Sequence, residues 1–273
     1  MYYFTDHDAT VGGIAMAYAN SPMGPWVHYG QVFVDPATSA TLGTGQTETP
    51  SVLWDPYTNI YRMFYQQVGA KYGVGNVTNA VGWQSTLSAT SVDGIVWTKD
   101  PNFAIDVPAM PQVHGDGHTG YFLPFYVNGA LSAYGLYGGG QGPDFVLWRS
   151  DGRTDSWTTN SISLGYSLEY TQGAPLNGRR TEWNSSFVVE AGARQFFIGR
   201  LSNNASGGGG SDCLIGIAPI SDDFRRLLAR PRVLWSPSQS WESVDLRCVN
   251  PFVDGGRLYV YYSVKNGSTF NIG

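Results

Sequence analysis

The chain has 273 residues, a formal net charge of −5 and a sequence pI near 5.3. Charged residues make up 14%, against about 25% in an average soluble protein, while glycine (35) and aromatics (13 Phe, 9 Trp, 17 Tyr) are abundant. This excludes a charge-rich disordered chain and an Ala/Glu/Lys/Leu-rich helical bundle, and leaves an all-β protein with one large domain or two small ones.

The acidic balance speaks against nucleic acid as a partner, because that affinity rests on basic residues facing phosphates. No apolar run approaches the roughly 18 residues of a membrane helix, so no membrane association is expected. The opening MYYFTDHD has neither a basic nor a long apolar region, so it does not read as a signal peptide. Only three lysines occur (Lys71, Lys99, Lys265), with Ser, Thr, Asn and Gly in the surface role. That composition leans extracellular and leaves the compartment unassigned. Cys213 and Cys248 are too few for a disulfide framework and read as buried free thiols.

In chain order, a short aromatic strand recurs every 60–70 residues: MYYFTD (1–6), YRMFYQQ (61–67), LSAYGLYG (131–138), RQFFIGR (194–200) and RLYVYYS (257–263). Each of the last four follows an apolar run that ends in turn chemistry: PSVLWDP (50–56), YFLPFYVNG (121–129), SFVVEAG (186–192) and NPFVDGG (250–256). After each of the first four comes a third strand: GGIAMAYANS (12–21), LSATS (87–91), DFVLWRS (144–150) and DCLIGIAPIS (212–221). A Ser-led turn and a fourth strand close the unit, as in WVHYGQVF (26–33) and RPRVLW (230–235).

Four antiparallel strands per repeat predict a β-propeller, with a β-sandwich as runner-up. The expected architecture is one domain over 1–273 with five blades, approximately 1–46, 47–109, 110–168, 179–236 and 242–273. The first blade begins at its second strand. The last breaks off at FNIG (270–273), the opening of a third. A four-bladed ring with one surplus strand is the alternative. The incomplete terminal blades suggest self-association. No helix is expected beyond one turn in SDDFRRLLAR (221–230).

The segments GGIAMAYANSPMGPWVHYGQVF (12–33), TETPSVLWDPYTNIYRMFYQQ (47–67) and SATSVDGIVW (88–97) resemble five-bladed propeller glycoside hydrolases, especially family 43. The fructan- and anhydrogalactose-cleaving families are close behind. The run from Ser91 to Trp97 is also similar to a sialidase Asp-box, but it is one residue short.

The resemblance implies an oligo- or polysaccharide substrate and three carboxylates from different blades. In HGDGHTGYF (114–122) it implies Asp116 as the residue that orients and tunes the acid. In RRTEWNSSF (179–187) it implies Glu182 as the general acid. Glu48, beside Thr49-Pro50-Ser51, reads as a second acid, a substrate hydrogen-bonder or a loop residue. The base position falls on a first-blade strand that this chain does not contain, so Asp6 or Asp8 would have to substitute.

His118, Arg247, Trp183, Asn184 and Asp245 are candidates for holding the sugar. Their plain readings are a loop histidine, an Arg247–Asp245 ion pair and an inter-blade tryptophan. His114 and His118 have the i, i+4 spacing of a helical zinc site, but Gly115 and Gly117 rule out that helix. No cofactor is expected, although a structural calcium in the central channel is compatible. The function expected is hydrolysis of arabinose-, xylose- or related glycosidic bonds, with inversion. The alternatives are a carbohydrate-binding or inactive propeller that has lost its base, and a fructan- or anhydrogalactose-cleaving enzyme.

Overall fold

A computed structural model describes residues 1–5, 12–36, 46–68, 84–105, 119–127, 130–137, 144–150, 157–163, 180–192, 194–202, 214–224, 227–236, 246–266 and 269–272. They form eighteen strands in five sheets, and each strand lies beside its neighbour in sequence. The first sheet holds β1 (Tyr2–Phe4), β2 (Ile14–Tyr18) and β3 (Val27–Phe33). The second holds β4 (Gln46–Asp55), β5 (Ile60–Val68), β6 (Gln84–Ser91) and β7 (Thr98–Ile105). The third holds β8 (Thr119–Val127), β9 (Ala130–Tyr137), β10 (Asp144–Ser150) and β11 (Trp157–Ser163). The fourth holds β12 (Arg180–Ala191), β13 (Arg194–Ser202), β14 (Leu214–Pro219) and β15 (Arg232–Trp235). The fifth holds β16 (Leu246–Asp254), β17 (Arg257–Asn266) and β18 (Thr269–Ile272).

The recurring aromatic segments are therefore carried by β1, β5, β9, β13 and β17, and residues 270–272 of the closing run lie in β18. The chain divides into two compact units, Met1–Gly140 with Trp148–Thr158, and Gln141–Leu147 with Thr159–Gly273.

Turn chemistry explains the local boundaries. Between β16 and β17, Asp254 pairs with Arg257 across Gly255 (φ 54°) and Gly256 (φ 74°). Two left-handed residues in succession make the tight loop whose twist suits a hairpin.

The Ser-led turns recur after the third strands. Ser91 Oγ accepts the N–H groups of Asp93 and Gly94, and Asp93 Oδ1 accepts those of Ile95 and Val96. Gly94 O in turn accepts Trp97 Nε1 at 3.2 Å and Tyr2 Oη at 2.8 Å. Ser21 Oγ accepts Met23 N–H, and Ser221 Oγ donates to Asp223 Oδ1 at 2.6 Å. The helical turn anticipated within 221–230 does not form at its described residues. Phe224 is left-handed (φ 60°), and Ile220 bridges to Leu227, so the segment folds back rather than winding on.

Packing joins consecutive sheets within each unit. Ile14 and Phe33 of the first sheet share a core with Met63, Tyr65, Leu87, Ala89 and Trp97 of the second. Tyr2 meets Trp97 edge-on at 5.8 Å, and Phe33 meets Tyr65 at 5.1 Å. Phe64 meets Phe122 of β8 at 4.9 Å. In the other unit, Ile198 and Ile215 pack on Val249 and Val264, with Trp235 and Tyr262 centred 4.6 Å apart.

The Ser91 turn gives a direct test of this joint. Gly94 has φ +75°, and a Cβ there would sit 2.6 Å from Tyr2 Oη. Gly94→Ala is expected to cost about 1–3 kcal/mol in urea unfolding, through backbone strain plus displacement of Tyr2. Tyr2→Phe in the Gly94→Ala background should recover part of that loss.

Candidate active site

The first strands of the second to fifth sheets share one irregularity near their N-terminal ends. In β4, Glu48 pairs with Gln66 and Ser51 with Phe64, so Thr49 and Pro50 together face only Tyr65. Proline has no N–H to give the ladder, so a bulge accommodates it. In β8, Gly120 pairs with Leu136 and Leu123 with Tyr134, leaving Tyr121 and Phe122 opposite Gly135. In β12, Thr181 pairs with Leu201 and Ser186 with Gly199, so Glu182, Trp183, Asn184 and Ser185 all face Arg200. In β16, Leu246 pairs with Val264 and Cys248 with Ser263, leaving Arg247 as the surplus residue. A bulge interrupts the alternation of faces and re-aims the side chains at its position.

These bulges coincide with several residues singled out from sequence. Glu182, Trp183 and Asn184 lie inside the β12 bulge and Arg247 is the β16 bulge, their side chains being outside the described set. Asp6, Asp8, Asp116, His118 and Asp245 lie outside the described residues altogether. Glu48 is described in full. It is a strand residue rather than a loop residue, and its exposure is 0%.

Glu48 lies in a row of buried polar residues. Gln66 is its partner across the ladder, Thr86 continues the row on β6, and Thr47 and Gln67 adjoin it, all at 1% exposure or less. Thr49 has φ +49°, an outlying conformation for a β-branched residue, and its Oγ1 donates to Gln66 Oε1 at 3.2 Å. Buried polar side chains beside a strained backbone mark a segment shaped for something other than packing.

Three features were not read from the sequence. Arg200, opposite the Glu182 bulge, is completely buried. Its signal was an arginine inside the aromatic strand RQFFIGR. Asp35, just past β3, is 1% exposed and ion-pairs with Lys99 at 2.8 Å. The scarcity of lysine made Lys99 conspicuous, but nothing local named its partner. The third is Asp55 at the β4–β5 turn. Its carboxylate accepts Tyr57 N–H at 2.9 Å, Thr58 Oγ1 at 2.6 Å and Arg62 Nε at 2.7 Å. Burial pushes the Asp55 carboxyl up, but hydrogen bonds from Thr58, Arg62, the Tyr57 amide and Tyr126 outweigh it and hold the group at about 2. Burial and the neighbouring Asp55 charge push the Tyr126 hydroxyl up to about 12, so it remains a donor. Asp55 is thus a fully engaged structural carboxylate. Among the described residues, no group of three or more His, Cys, Asp or Glu side chains is arranged to hold a metal ion.

No protein-family model matches the sequence, and no curated protein matches it. Solved structures do. A chain described as a glycoside hydrolase superposes with a TM-score of 0.68 at 11% identity, over 98% of this chain and 79% of its own. A thermostable family-43 glycoside hydrolase gives 0.58 at 14% identity, over 83% and 67%. An α-L-arabinofuranosidase from Lactobacillus brevis gives 0.56 at 14% identity, over 82% and 65%. The chain thus spans about two thirds of the latter two. The fold is that of the β-propeller glycoside hydrolases, with family-43 proteins among those it resembles.

The Asp55 geometry sets an acid limb of stability. A folded-state carboxyl near 2 against an ordinary value near 3.9 stabilises the fold above about pH 4, and that contribution is lost as pH falls from about 4 through 2. Asp55→Asn is expected to be less stable than the parent at pH 6 and to lose less on acidification to pH 2.5. Urea midpoints at the two pH values check it.

Proposed function

We propose that residues 1–273 form a single five-bladed propeller, a glycoside hydrolase related to family 43, which cleaves arabinose-, xylose- or related glycosidic bonds with inversion. The observation that carries this reading is the recurring bulge, which in β4, β12 and β16 falls at or beside Glu48, Glu182 and Arg247. The five sheets of repeated strand order and the likeness to family-43 structures support it. In a propeller, the first strand of each blade lines the axis. Residues near the N-terminal ends of those strands then come from different blades to one face.

In that arrangement Glu182 protonates the leaving oxygen, and Asp116 orients Glu182 and tunes its pKa. Asp6 or Asp8 accepts a proton from the attacking water on the opposite side of the sugar ring. Inversion needs the acid and base about 6.5–9.5 Å apart to admit that water. Glu48 contributes the carboxylate of the second blade, and His118, Arg247, Trp183, Asn184 and Asp245 hold the sugar.

Hydrolysis of aryl α-L-arabinofuranosides and β-D-xylosides tests the assignment. Glu182→Gln is expected to lower kcat by about 10²–10⁴-fold on a phenyl leaving group, where protonation is needed. The loss should be much smaller on a dinitrophenyl leaving group, which departs without it. Proton NMR of the first-formed sugar should show the inverted anomer. Activity unchanged in Glu182→Gln sinks the assignment. An inert parent that still binds oligosaccharide moves the protein to the carbohydrate-binding reading.

A further inference from the structure

Beside the Glu48 strand, buried Asp35 and half-buried Lys99 form an ion pair that the proposed reaction does not use. We infer that Asp35 and Lys99, acting through Tyr65 and Thr47, are positioning residues that set the conformation of the bulge carrying Glu48. The inference deepens the proposed function and rests on Glu48 belonging to that site.

The contacts come from four segments. Lys99 Nζ of β7 lies 2.9 Å from Asp35 Oδ1 and 2.8 Å from Oδ2. Tyr65 Oη of β5 donates to Asp35 Oδ2 at 2.5 Å. The backbone N–H of Asp35 donates to Thr47 Oγ1 of β4 at 3.1 Å. Asp35, Thr47 and Tyr65 are each 1% exposed or less.

Two of these partners define the bulge. Thr47 immediately precedes Glu48, and Tyr65 is the single residue facing Thr49 and Pro50. Asp35 therefore grips the bulge from both strands. On the other side, Thr49 Oγ1 bonds to Gln66, the ladder partner of Glu48. A threonine at φ +49° persists only where its surroundings over-determine it, and these contacts do so.

Stability alone is a poor reason for such a cluster. Apolar residues of similar volume often replace a buried ion pair at no loss. Within a packed core, the same cohesion was available from Phe33 and Leu87, which already surround Tyr65. What an ion pair with two added hydrogen bonds supplies is direction. It fixes where Thr47 and the Tyr65 ring sit, and hence where Glu48 sits between them.

The test compares Lys99→Met, Lys99→Arg and Tyr65→Phe with Leu227→Ala, a buried control that bridges to Ile220 after the third strand of the fourth sheet. Two readouts are taken on the full chain: amide hydrogen exchange, and kcat and KM on the glycoside that the parent cleaves. Lys99→Met and Tyr65→Phe should speed exchange at residues 47–51 by about tenfold or more while leaving residues 249–264 unchanged. They should lower kcat by about 10–100-fold with little change in KM. Lys99→Arg should restore most of both, and Leu227→Ala should change neither exchange at residues 47–51 nor kcat. Unchanged exchange at 47–51, or an equal fall in kcat for Leu227→Ala, overturns the inference. If the parent cleaves no glycoside, the proposed function fails, and hydrogen exchange by itself still decides whether the pair holds the bulge. Tyr65→Phe removes one hydroxyl and keeps the ring, so it carries the test if Lys99→Met does not fold.

Discussion

A small sheet with an apolar face must bury it against a neighbour, and that need governs the packing within each unit. β5 shows the consequence at residue level. Met63, Phe64, Tyr65, Gln66 and Gln67 are all buried in succession, so the polar–apolar alternation of a one-sided strand is gone. Met63 and Tyr65 face the first sheet, while Phe64 meets Phe122 of the third. Intersheet packing of this kind also accounts for a chain with so many aromatic rings and so few charges. Large rings fill the space between twisted sheets, and little surface is left for Lys and Glu.

Covered faces restrict where polar groups can be displayed. The strand ends and the turns remain, and at the N-terminal ends of the first strands the ladder is broken repeatedly. The breaks differ in chemistry. Pro50 imposes one, Arg247 is a single surplus residue, and four residues crowd opposite Arg200 in β12. That four different local sequences produce an irregularity at a corresponding place argues for a shared geometric requirement rather than for accidents of composition. A regular strand would send every second side chain into an already filled intersheet core. A bulge takes a polar side chain out of that alternation without ending the strand.

The order of the strands was legible because it is written in local signals. Aromatic runs mark the second strands, Asp-Gly-Gly and Asp-Pro mark the hairpins, and Ser91, Ser21 and Ser221 mark the turns after the third strands. Register was not legible, since a bulge exists only relative to a partner strand. The Asp35–Lys99 pair was invisible for the same reason. Its members stand 64 positions apart, and nothing in either neighbourhood names the other. Glu182 and Asp116 were named through resemblance, from the residues around them, and not through any property of the carboxylates themselves.

Three carboxylates of the first unit show how environment divides labour among identical groups. Asp55 has its lone pairs filled by a turn amide, a hydroxyl and a guanidinium, so its charge serves the hairpin that presents Tyr57. Asp35 is filled by a cation and a phenol from two different strands, so its charge ties together segments far apart in sequence. Glu48 is wholly buried, in a row that runs through Gln66 and Thr86 and next to a left-handed threonine. Burying an ionisable group there is costly in free energy, and holding Thr49 in a sparsely populated conformation adds to that cost. Both costs fall on one short segment, the one that the Asp35 network also grips. A fold under selection for stability alone would shed them, because an apolar residue at position 48 and a glycine at 49 would remove both. Their coincidence at a bulge of the first strand sets that segment apart from the Asp55 turn, where the amide, hydroxyl and guanidinium contacts serve the hairpin.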